Sequence, residues 1–166
     1  DKLIKRKNKK VRYNYIMAQL YQQNKNYKSA KSKYKKVLRS SPDYEMVFNA
    51  KMNLARSLES GSSDLKKMRL NLLKMIKDDK NKEYLDKIYF TIAEMDVNNS
   101  DTISAIDNYL LSTVNSIDNN VQKALSFLAL AKIDYNRSFY RQAKINYDST
   151  LFYMDEGFRD YNDAKE

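Results

Sequence analysis

Three times in this chain an alanine is followed after twelve residues by a second alanine, and after four more by a tyrosine. The three sets are Ala18, Ala30, Tyr34; Ala93, Ala105, Tyr109; and Ala131, Ala143, Tyr147. A fixed spacing that recurs is the mark of a repeat architecture, in which each unit buries its apolar face only by stacking on its neighbours. Small residues at buried positions let two helix backbones approach closely. A ring one helical turn further on fills the space beside them. Ala55, in FNAKMNLARSL, is a fourth marker, and the first alanines then stand 37, 38 and 38 residues apart. The spacing predicts four helix-turn-helix units.

With only Gly 2 and Pro 1, the chain lacks the turn chemistry that a sheet requires, and helices are expected almost throughout. In the first unit the apolar stripe Tyr13, Ile16, Met17, Leu20, Tyr21 predicts a buried helical face. Asn26 is placed to cap a second helix carrying Tyr27, Ala30, Tyr34, Val37 and Leu38. Ser41 then reads as the next N-cap and Pro42 as a first helical residue. Unit two runs through Phe48, Met52 and Leu58 to Gly61, a left-handed C-cap, and Ser63, an N-cap, before Leu65, Met68, Leu72, Leu73 and Ile76. Unit three uses Leu85, Ile88, Tyr89 and Ile92, then Ile103, Ile106, Tyr109 and Leu110. Unit four uses Val121, Leu125, Leu128 and Ile133, then Ser138 as a cap before Phe139, Ala143, Ile145, Tyr147 and Leu151. Tyr21, Tyr34, Tyr109 and Tyr147 are core by register.

This arrangement resembles the tetratricopeptide repeat, which has a small residue in helix A, an aromatic three later, Ala in helix B, an aromatic four beyond, and Pro near the end. Unit one matches with Ala18, Tyr21, Ala30, Tyr34 and Pro42. Units three and four put Asp96 and Asp134 where the first aromatic belongs, and in unit two Lys67 stands at the second alanine. The resemblance implies an all-α right-handed solenoid of about four repeats, near 11–44, 45–81, 82–118 and 119–155. A basic segment 1–10 precedes them and a tail 156–166 follows. The period exceeds the family's usual ~34, and longer A helices are expected to hold the excess. The chain has no initiator Met and no signal peptide, and is expected to be a piece of a longer protein.

Without His or Cys there is no imidazole base, thiol nucleophile or ordinary zinc site, and two glycines cannot build a phosphate loop. Asp78–Asp79 and Asp155–Glu156 read as solvated acids at helix ends. The expectation is a non-enzyme with no cofactor and no metal. Counting from the marker alanines puts Arg12, Tyr15, Gln19 and Gln22, then Asn49, Met52, Asn53 and Arg56, then Lys87, Phe90, Thr91 and Glu94, then Leu128, Lys132 and Tyr135 on a concave groove. Aromatic, amide and charged groups together suit a protein partner. The Lys/Asn clamp that some family members use for a peptide carboxylate is missing, so a free C-terminus is not the expected ligand.

Charge is polarised. Residues 1–39 hold 14 basic residues and one acid, and the remainder 17 basic and 20 acidic. Lys28, Lys31, Lys35 and Lys36 form a candidate basic face, a solvated helix face first and an acidic-partner contact second. Nucleic acid is a third reading. The phrases KNKEYLDKIY and KALSFLALAKI…YRQAKINYDSTL resemble the SprE/PorW tetratricopeptide lipoproteins of Bacteroidota, which serve type IX secretion and gliding motility. That resemblance implies a protein-binding scaffold in the periplasm that contacts components of a secretion or motility machine. It also implies membrane attachment only through a lipid anchor outside this chain, and no small-molecule substrate. A generic tetratricopeptide adaptor or co-chaperone in another compartment is the alternative.

Overall fold

A computed structural model describes residues 2–40 and 43–154, with side chains from Asn8 onward. Among these residues there are eight α-helices and no strand: α1 (Lys2–Gln23), α2 (Tyr27–Arg39), α3 (Tyr44–Arg56), α4 (Ser63–Ile76), α5 (Leu85–Asn98), α6 (Thr102–Asn115), α7 (Asn120–Asn136) and α8 (Tyr140–Tyr153). The basic segment from Lys2 onward is the first part of α1. The chain divides into two compact units, residues 1–68 and 69–166. In the first, α1 packs on α2 and α2 on α3. In the second, α5 pairs with α6 and α7 with α8, and α6 packs on α7.

One turn is built three times. The carbonyls of Tyr21, Asp96 and Asp134 each accept the N–H five residues on, from Asn26, Asp101 and Phe139, at 2.8, 2.9 and 2.9 Å. The residue before each donor, Lys25, Ser100 or Ser138, is left-handed, with φ of 56°, 61° and 63°. This is how an αL residue closes a helix C-terminus and satisfies its last carbonyls. The Asn26 and Asp101 side chains then cap α2 and α6 through the N–H groups of Ser29 and Ser104. Ser138 occupies the left-handed position itself and is no cap. Phe139 stands in the cap position of α8 and makes no side-chain cap bond. In the second repeat Gly61 takes the left-handed conformation, φ 70°, as expected, but Ser62 Oγ, one residue before Ser63, receives the N–H of Leu65. The cap of α3 is Asp43, bonded to the N–H of Met46, and Ser41 and Pro42 lie outside the described residues.

The small residues set the buried faces. Ala18, Ala30, Tyr34, Ala93, Ala105, Tyr109, Ala131 and Ala143 are all buried. Ala93, Ala105 and Tyr109 cluster with Leu130, and Phe127 and Ile133 of α7 pack against them, so the Tyr109 ring fills the space towards the following helix. Tyr21 and Tyr147 are only half-buried. The expected stripe on α1 is turned: Val11 and Ala18 are buried and Tyr15 and Gln22 half-buried, while Tyr13, Ile16 and Leu20 are exposed. Ile103, Leu110, Val121, Phe139 and Ile145 are likewise exposed. Apolar residues on these helices cover more than one face, and close backbone approach at the alanines decides which face goes inside.

The extra residues of the long period do not uniformly lengthen the A helices. After α1, which has 22 residues and takes in the basic segment, α3 and α5 have 13 and 14 residues, like the B helices, and α7 has 17. Before α5 the excess forms a 3-10 turn, Asp79–Tyr84, whose buried Asn81 donates to the Met75 carbonyl at 2.8 Å.

Candidate functional site

In the first compact unit, four of the expected groove residues meet in one network. Asn53 Nδ2 donates to the Tyr15 hydroxyl at 3.2 Å, Arg56 Nη1 donates to Asn53 Oδ1 at 3.2 Å, and Gln22 Nε2 reaches the Asn53 carbonyl at 3.4 Å. The buried Tyr34 hydroxyl donates to Gln22 Oε1 at 2.7 Å, and its ring meets Tyr15 edge-on at 6.0 Å. Burial pushes both phenols above their ordinary pKa, against the lowering by the Asn53 bond at Tyr15. Tyr15, Gln22, Asn53 and Arg56 therefore tie α1 to α3, with Asn49 half-buried and Arg12 and Gln19 exposed. Met52 is core.

In the second unit Thr91 and Leu128 are core and present no surface. Phe90 is half-buried against Tyr109 at 5.3 Å, and Lys87 lies over the Tyr84 ring at 5.7 Å. Glu94 is half-buried, whereas Lys132 and Tyr135 are open to solvent. The exposed part of the expected groove thus reduces to Arg12 and Gln19 in one unit and Lys132 and Tyr135 in the other.

The basic face also divides. Lys31 and Lys35 both reach Asp64 Oδ2 at the start of α4, at 2.6 and 3.4 Å, and hold that carboxyl below its ordinary pKa. Lys28 and Lys36 are exposed. A different basic cleft of about 680 Å³ lies between α1 and α2, where Lys10, Lys33, Lys36 and Arg39 surround the exposed Tyr13. Its signal in the sequence is the interleaving of Lys and Tyr, but only the helix pairing shows which lysines share a face.

Sequence reasoning missed a set of buried polar pairs. Asp96 accepts from Asn108 Nδ2 at 2.9 Å and forms an ion pair with Arg69 at 2.7 Å, which raises the guanidinium pKa. Asp134 accepts from Asn146 Nδ2 at 2.8 Å. Ser112 and Ser126 are hydrogen-bonded between α6 and α7 at 2.8 Å. Asp78 caps the N–H of Lys80, and Asp79, exposed, pairs with Lys82 at 2.9 Å. Asp155 and Glu156 lie outside the described residues. No helix among the described residues is long and apolar enough to cross a membrane. Comparison with protein-family models finds no match, and comparison with curated proteins finds none either.

Proposed function

We propose that the chain is a tetratricopeptide-like solenoid of about four repeats acting as a non-catalytic protein-binding scaffold, the periplasmic repeat domain of a type IX secretion or gliding motility lipoprotein. The observation that carries the scaffold reading is the threefold turn at Lys25, Ser100 and Ser138, with buried alanines twelve residues apart on either side. Stacked helix pairs of this kind offer extended surfaces to other proteins. The secretion reading rests on the phrases KNKEYLDKIY and KALSFLALAKI…YRQAKINYDSTL. The partner is a component of that machine, met on surfaces that include Arg12, Gln19, Lys132 and Tyr135.

Two measurements test it. The full coding sequence is expected to supply a signal peptide and a lipidated cysteine, and a gene with neither removes the periplasmic assignment. In cross-linking from a cell-envelope fraction, Arg12→Glu with Gln19→Ala and Lys132→Glu should each reduce capture of a secretion or motility component without shifting the melting temperature. Capture indifferent to all of them removes the groove.

One observation favours a second reading. The cleft of Lys10, Lys33, Lys36 and Arg39 around Tyr13 combines cationic groups with a ring, which suits a single-stranded nucleic acid. Tight binding of an RNA oligonucleotide that falls steeply with salt would replace the scaffold reading.

A further inference from the structure

Where α7 turns into α8, the repeat gives up a helix cap. The positions equivalent to Phe139 hold Asn26 and Asp101, and both accept a backbone N–H to start the next helix. Phe139 cannot, so α8 begins with no side-chain cap. Neither capping nor burial accounts for Phe139, which makes no cap bond and stays 53% exposed. Its surroundings explain it better than its backbone does. Tyr135, Tyr140 and Ile145 are 57%, 60% and 49% exposed, and Tyr135 meets Tyr140 edge-on at 5.5 Å. Phe139, Tyr140 and Ile145 line an open cleft of about 680 Å³ together with Arg141. Arg137 lies over the Phe139 ring at 4.7 Å.

We infer that this cleft docks a partner segment carrying one bulky apolar side chain flanked by carboxylates. Tyrosine and arginine around an apolar cleft is the composition that concentrates binding energy in protein interfaces. The rings supply contact area at low entropic cost, and two exposed guanidiniums supply the charge that an acidic flank would complement. The nearest lysine on α8, Lys144, is paired with Asp148 at 2.7 Å. Among the described residues neither arginine forms an ion pair. The second compact unit carries a net −3 from 13 basic and 16 acidic residues. Of the nearby acids, Asp134 is buried against Asn146 and Asp148 is paired with Lys144, so at a screening length of ~8 Å the exposed charges beside the Phe139 ring are those of Arg137 and Arg141. A nucleic acid fits less well, because the two arginines lie beside apolar surface rather than along a basic track.

The inference rests on the scaffold reading and narrows it to one surface and one partner chemistry. Its test uses the whole chain and a displayed library of random twelve-residue peptides. Selected peptides are expected to share an aromatic or aliphatic residue between acidic ones. For the best of them, made synthetically, Arg141→Glu should weaken binding about tenfold or more. Phe139→Asn should weaken it similarly while raising the melting temperature by roughly 2–5 °C, because the new amide restores the cap. That opposition distinguishes a binding residue from a structural one. Peptides without acidic flanks, an affinity unchanged by Phe139→Asn, or a variant that melts lower would each overturn the inference. So would self-association of the chain abolished by Phe139→Asn, which would make a second copy the occupant, or preferential binding of an RNA oligonucleotide at the cleft. An envelope partner whose capture ignores Phe139→Asn but needs Lys132 would overturn the cleft and leave the scaffold standing.

Discussion

Asp134 on α7 is buried, and an amide twelve residues on, Asn146 on the paired helix α8, donates to it at 2.8 Å. Asp96 and Asn108 repeat the arrangement 38 residues earlier, each pair three residues past its alanines. On sequence these aspartates read as departures from the aromatic position of the tetratricopeptide pattern that the repeat resembles. The spacing of twelve that links the alanines also links Asp to Asn, so the pairs were open to reading, but nothing in the sequence tells a buried carboxylate from a solvated one. Removing one partner leaves the other desolvated and unmatched, so Asn146→Leu alone should cost about 3 kcal/mol. Replacing both, as Asp134→Leu with Asn146→Leu, removes the mismatch and should return stability to within about 1 kcal/mol of the parent. Urea unfolding of the two variants decides it: equal losses would show that Asn146 acts by its shape and not by its hydrogen bond.

At the scale of elements, helix number and most boundaries follow from polar connections between apolar runs, and Asn26 and Gly61 take their expected roles. Serine is a poorer guide to a cap. Serine serves as cap, left-handed residue or solvated surface alike: Ser138 takes the left-handed position, and of the adjacent Ser62 and Ser63 the first is the cap. The Asp101 cap carries a pH dependence. Hydrogen bonds from Ser104 hold its carboxyl below the ordinary value of 3.8. A folded-state pKa below the unfolded one means stability that is fully present above about pH 4 and is lost as pH falls through the folded value. Asp101→Asn keeps a capping oxygen that does not titrate. Melting temperatures from pH 7 to pH 2 should therefore agree with the parent at neutral pH and fall less steeply on the acid side. A parallel acid limb would show that other carboxylates govern it.

For the molecule as a whole, polarity of charge was readable by counting. The first compact unit holds 18 basic against 5 acidic residues, and the second 13 against 16. Which cations are spent inside the fold was not readable, because Asp64 lies 33 residues from Lys31 in sequence and meets it only through packing. The basic face therefore contains two kinds of lysine, and they should respond differently to the same change. Lys31→Gln with Lys35→Gln strips Asp64 of both partners and should lower the melting temperature at low salt. Because the ions are partly exposed, salt already screens the pair, and the loss should shrink as ionic strength rises towards 1 M. Lys28→Gln with Lys36→Gln keeps long helix-forming side chains and breaks no ion pair found among the described residues, so the melting temperature should stay where it is. The two double variants have the same net charge. If they melt alike at every salt concentration, the repulsion among 18 basic residues governs this end of the molecule and the contacts with Asp64 do not.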